Sequence, residues 1–176
     1  ELLSIILAWI IFPIIYLEML FRRRWVDYSC YKIELVTPNK LNNEIDELWS
    51  KILREKPLRL LSYRDKEAIV WQFHNESSKL RNPVLFVLRK GKVLKGYAII
   101  TRADSSDYAL KRMMITDLIV LADDPEIIRA LVNKVFIYAK QRKMDVLQMK
   151  GFPLVVRSAV NQLHPFAHTL PYSPFW

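Results

Sequence analysis

Residues 113–152, MMITDLIVLADDPEIIRALVNKVFIYAKQRKMDVLQMKGF, decide how the rest of the chain is read. Met113 to Leu121 is an apolar, β-favouring run without a breaker. Asp123, Asp124, Pro125 and Glu126 form a helix start: an aspartate can accept the first free amides, and proline at the first helical position loses no bond. Ile128, Leu131, Val132, Val135 and Ala139 then recur at steps of three and four, one apolar helical face. Lys140, Arg142 and Lys143 gather where the helix dipole favours cations. Met144 to Met149 is a second short strand, punctuated by Gly151. Two strands joined through a helix are most simply parallel neighbours. Such a unit leaves a helix N-terminus at the sheet edge, where α/β folds tend to bind anions.

Upstream, Val84–Leu88 and Val93–Thr101 read as strands around the turn Arg89-Lys90-Gly91-Lys92, with glycine where a positive φ is needed. Gly96, inside the second strand, implies a bulge or a close backbone approach. Before them lie a strand at Tyr31–Thr37 and a helix capped by Asn42 or Asn43, whose inner face is Ile45, Leu48, Trp49 and Ile52. A second helix starts near Ser62, with Arg64 and Asp65 in its first turn and Ile69, Val70 and Phe73 buried beside Trp71. Residues 75–82 and 103–108 read as loops. Downstream, Pro153–Leu163 reads as a helix with Leu154, Val155, Ala159 and Leu163 inward, followed by a proline-rich tail of edge segments.

The opening segment is of a different kind. Residues 2–17, LLSIILAWIIFPIIYL, carry no charge and precede Glu18 and the cluster Arg22-Arg23-Arg24. A spanning helix needs roughly 20 apolar residues, which this run nearly supplies, but Pro13 would kink it and Glu18 falls within that length. Residues 1–30 therefore read as an apolar helix with a basic linker, suited either to a membrane surface or to an upstream domain, ahead of one domain over 31–176.

Composition narrows the function. Hydrophobic residues make up 52% of the 176, which excludes a disordered chain. Three glycines rule out a glycine-rich phosphate loop, and the single Cys30 rules out an intrachain disulfide, in keeping with a cytoplasmic setting. The net charge of +9 suits an anionic partner or simply a solvated basic surface. Nucleic-acid binding would need exposed aromatic platforms among the basic clusters, and Trp49 and Trp71 read instead as buried helix residues.

The order strand, helix, helix, three strands, helix, strand, helix resembles the GNAT acyl-CoA N-acyltransferase superfamily. The hairpin FVLRKGKVLKGYAIIT and the core ITDLIVLADDPEIIRALVNKVFIYAKQRKMDVLQM carry the resemblance, which extends from Tyr31 to about Trp176. The chain looks most like divergent modules with an Arg-Asp and tryptophan-bearing second helix (Arg64, Asp65, Trp71) and an Asp-Leu in the fourth strand (Asp117, Leu118). In some chains of that kind a second GNAT module comes first. The resemblance implies an α/β fold with a mixed, mostly antiparallel sheet and helices on both faces. It also implies acetyl-CoA or another acyl-CoA as cofactor and an amine as acceptor. Ile119, Leu121, Ala122, Asp123 and Asp124 would then contact the cofactor.

The residues at that place point two ways. Two aspartates and Glu126 stand where an anion should dock, and Pro125 removes a donor. Asp123 and Asp124 read more naturally as caps than as ligands. In a strand, Met113, Ile115, Asp117, Ile119 and Leu121 share one face. A carboxylate there either serves as a base with a raised pKa or pairs with the backbone or an arginine such as Arg64 or Arg102. Tyr172 is the nearest candidate acid. His164 and His168 lack a third ligand, so no metal site is expected. Two functions follow: N-acyl transfer from acyl-CoA to an amine, or a catalytically degenerate GNAT-like module that packs against a membrane or an upstream domain.

Overall fold

Five strands form one sheet in chain order, β1-β2-β3-β4-β5, antiparallel except for the parallel last pair. They are β1 (Lys32–Val36), β2 (Val84–Lys90), β3 (Val93–Arg102), β4 (Arg112–Val120) and β5 (Val146–Met149). The helices are α1 (Glu44–Glu55), α2 (Lys66–His74), α3 (Pro125–Gln141) and α4 (Leu154–Asn161), and a 3-10 turn spans Leu121–Asp123. This computed structural model describes residues 29–37, 40–41, 43–55, 62–74, 81–105 and 109–163, with the single positions 13 and 167. The apolar run at 2–17 apart from Pro13, Arg22 to Arg24, His164, His168 and Tyr172 lie outside the described residues. Among the described residues, no helix is long and apolar enough to cross a membrane.

The sheet is covered on both faces. On one, Phe86, Leu88, Ala98, Ile100, Met113, Ile115, Leu118 and Val120 pack against Ile128, Leu131, Val135 and Ala139 of α3 and Val156 and Ala159 of α4. On the other, Leu85, Val87, Tyr97, Ile99 and Ile119 meet Ile45, Leu48, Trp49 and Ile52 of α1 and Ile69 of α2. Each fully buried Leu or Ile here contributes about 1.5–3 kcal/mol. This is the mixed, mostly antiparallel α/β architecture that the family resemblance implies, and β4 and β5 are parallel neighbours bridged by α3.

Two glycines explain the hairpin and its fit. Gly91 turns between β2 and β3 at φ 61. Gly96 is needed for a different reason: a Cβ there would stand 2.8 Å from the Ile119 carbonyl oxygen. The β2–β3 register also shifts beside it, between Leu88 and Arg89, so bulge and close approach coincide.

Several side chains sit elsewhere than their spacing predicts. Ile99 pairs with Asp117 but Ile100 pairs with Ile115, so Thr116 is an extra residue in β4, a bulge. Its hydroxyl donates to the Ile99 carbonyl at 3.2 Å. The bulge reverses the alternation: Met113 and Ile115 face α3, whereas Asp117 and Ile119 face α1 and α2. Trp71 is 66% exposed, because α2 is short and only Ile69 is fully buried along it. Leu154 is 69% exposed, since α4 docks through Val156 and Ala159. Arg64 and Asp65 precede α2; Asp65 caps it, its Oδ1 accepting from the Ala68 amide at 2.8 Å.

Candidate functional site

The parallel pairing of β4 with β5 runs only from Arg112–Val146 to Ile115–Met149. Beyond it β4 continues to Val120, while the chain leaves β5 through Gly151, at φ 71, toward α4. From the Thr116 bulge onward, the outer edge of β4 has no strand partner among the described residues. A cleft of about 20 Å³ lies there, lined by Leu118 and Val120 from one sheet face, Ile119 and Ile52 from the other, and Asp123, Ile128, Pro153 and Val156. Residues of both faces can share a lining only because the sheet is open at this point. The space holds little more than one water, so an elongated ligand would have to part its walls.

Asp117 anchors the bulged strand. Only 8% exposed, its carboxylate accepts from Arg64 Nε at 2.9 and 3.1 Å, from the Tyr97 hydroxyl at 2.9 Å and from the Leu118 amide at 3.1 Å. Arg64 also donates from Nη1 to the Ser62 carbonyl at 3.0 Å. Of the two arginines that could pair with Asp117, it is Arg64 that does; Arg102 pairs with Asp104. Burial pushes the Tyr97 phenol well above its ordinary pKa near 10, and the Asp117 charge and hydrogen bond push it further, Arg64 pulling the other way. Tyr97 is therefore a neutral donor to an ionised acceptor. No motif in the sequence marks it as Asp117's partner.

The turn after β4 is where an anion would dock in a fold of this kind. Three of its amides are already engaged. Ala122 donates to Glu55 Oε2 at 3.0 Å and Asp124 to the Leu121 carbonyl at 3.3 Å. Pro125 has no N–H, and Glu126 donates to Asp124 Oδ1 at 2.8 Å. Asp124 is thus the N-cap of α3. Ala122 and Asp123 are held at φ 58 and φ 50, the left-handed region that favours glycine. Tyr31 closes the far side, its hydroxyl donating to Glu126 Oε2 at 3.4 Å. Burial raises its pKa, and the negative charge of Asp124 adds to the rise. Glu55, 67 residues from Ala122, has no sequence signal pointing to this place.

The predicted residues Asp117, Ile119, Leu121, Ala122, Asp123 and Asp124 thus lie in one continuous segment, the open half of β4 and its turn. Tyr172 lies outside the described residues. An acyl-CoA fits this segment in part: the β4 edge, without a strand partner among the described residues, suits an extended arm, but the diphosphate finds carboxylates and three engaged amides. Among the described residues no cluster of three or more His, Cys, Asp or Glu could hold a metal.

No protein-family model and no curated protein matches the sequence. Solved structures do match in fold. An aminoglycoside acetyltransferase from an uncultured soil metagenomic sample, in complex with trehalose, superposes with a TM-score of 0.63 at 12% identity, over 85% of this chain and 97% of its own. The ribosomal-protein-alanine N-acetyltransferase of Brucella melitensis biovar Abortus 2308 gives 0.58 at 16%, covering 84% of this chain and 97% of that one. A predicted acetyltransferase of Clostridium acetobutylicum, with acetyl-CoA, gives 0.56 at 13%, covering 82% and 95%. With β4 and β5 parallel and parting at Thr116, and with these structures alike across nearly their full length, the chain has the fold of the GNAT N-acyltransferases.

Proposed function

We propose that this chain is an acyl-transfer module that takes an acyl group from a thioester and places it on an amine. The observation that carries the reading is the outer edge of β4 past the Thr116 bulge, which has no strand partner among the described residues and opens on a cleft lined from both sheet faces. An extended amide-containing arm can hydrogen-bond to such an edge as a further strand would. Structures of the same fold are acetyltransferases, one of them with acetyl-CoA. In the reaction the amine nitrogen bonds to the acyl carbon, the carbon–sulfur bond breaks, the nitrogen loses a proton and the sulfur leaves as a thiol. Asp117 suits a positioning part in this reading. Its oxygens already accept four hydrogen bonds, so taking a proton from the amine would mean displacing Arg64 or Tyr97. Tyr172 is the candidate for returning a proton to the sulfur.

A second reading, a packing or binding module without acyl transfer, is favoured by one specific observation: the amides of Ala122, Asp124 and Glu126 are all engaged within the protein. Calorimetric titration with S-acetylpantetheine and with acetyl-CoA separates the two. Binding of either, followed by thiol release when amines are added, supports acyl transfer. No heat from either at millimolar ligand overturns it and leaves the packing module.

A further inference from the structure

Glu55 is the last residue of α1. One turn earlier Ile52 is buried in the core under the sheet, so the end of the helix is held over the turn while Glu55 itself stays exposed. Its carboxylate takes the Ala122 amide at 3.0 Å. That amide belongs to a residue kept left-handed at φ 58, a conformation a side chain disfavours unless its surroundings impose it. In a chain of net charge +9, this turn gathers Glu55, Asp123, Asp124 and Glu126. An entering diphosphate would have to displace a carboxylate and sit among the others. The cleft beside the turn makes less demand on an uncharged arm: Leu118, Val120, Ile128 and Val156 line it together with Asp123.

We propose that Glu55 is a donor-specificity residue. Its carboxylate closes the turn to diphosphate-bearing thioesters, so the opening prefers an acyl group carried on an uncharged, pantetheine-like arm. This rests on the acyl-donor reading above, and the two can fail separately. Two substitutions divide the effect. Glu55→Gln keeps an oxygen for the Ala122 amide but removes the charge, and Glu55→Ala removes both.

The test is calorimetry of the full chain and both variants with S-acetylpantetheine and with acetyl-CoA, at low and at raised salt. The unmodified chain should bind S-acetylpantetheine at least as tightly as acetyl-CoA. Glu55→Gln should tighten acetyl-CoA by about fivefold at low salt, as expected for removing one like charge near 4 Å in water. Glu55→Ala should tighten it further, and S-acetylpantetheine should not change. Salt should shrink the Glu55→Gln gain, since the charges are exposed. An unchanged affinity ratio in both variants, or tighter acetyl-CoA than S-acetylpantetheine in the unmodified chain, overturns the role of Glu55 while acyl transfer stands. Neither S-acetylpantetheine nor acetyl-CoA bound by any of the three proteins overturns the acyl-donor reading and the role of Glu55 with it.

Discussion

Arg64 and Asp117, 53 residues apart in the chain, meet with Nε 2.9 Å from Oδ2 and tie the entry of α2 to the bulged half of β4. Their side chains are only 20% and 11% exposed. Arg64→Met leaves a largely buried carboxylate with no cation beside it, which costs on the order of 3 kcal/mol. Urea unfolding should show that loss. Asp117→Asn in the same background should restore part of it, giving a coupling of about 1–3 kcal/mol in a double-mutant cycle. Additive losses would mean that the pair holds nothing together.

Tyr97 sets the alkaline limit of that network. Its folded pKa is raised well above 10 by burial, then by Asp117. The sign follows directly: above pH 10 the unfolded chain releases the phenolic proton and the folded chain keeps it, so stability falls as pH rises. Below pH 10 this contribution is fully present. Tyr97→Phe should cost about 1.5–3 kcal/mol at neutral pH, for a hydrogen bond to a charged group, and should flatten the decline between pH 10 and 11. Denaturant midpoints across that range measure both effects. An equal decline in the two proteins would assign it to other groups.

At Gly96 the sheet has no room for a methyl group. The nearest atom to an added Cβ, at 2.8 Å, is a backbone oxygen of β4, which cannot rotate away. Gly96→Ala should therefore destabilise by about 1–3 kcal/mol, the range for overpacking. Because Gly96 pairs with Val120, amide exchange should quicken first in residues 119–121. Exchange that quickens evenly over the whole sheet would contradict a local cause.

The cap of α3 gives a smaller effect. Asp124 accepts the Glu126 amide at 2.8 Å, and Asp124→Ala should cost about 1 kcal/mol, with Asp124→Asn retaining most of the stability. Thermal melts of the two variants make the comparison.

Much of the fold is legible along the chain. Ile45, Leu48, Trp49 and Ile52, and again Ile128, Leu131, Val132, Val135 and Ala139, are named by helical spacing alone and are all buried. Gly91 marks the hairpin and Pro125 the start of α3 for local backbone reasons. The strand, turn and cap from Ile119 to Asp124 are likewise readable, because they follow one another in sequence.

What the sequence determined by itself was therefore periodic and local: the order of elements, their inner faces, and the acidic character of the turn. Only the tertiary structure decided the rest. The Thr116 bulge moves Asp117 to the opposite face from Met113 and Ile115, because one residue inserted into a period of two inverts everything after it. Trp71 and Leu154 lie in the open because short helices dock through few residues, and periodicity does not say which. Arg64, Tyr97 and Glu55 reach their partners across 53, 20 and 67 residues. Nothing local encodes those meetings: they exist only once the sheet has closed and its helices have settled against it.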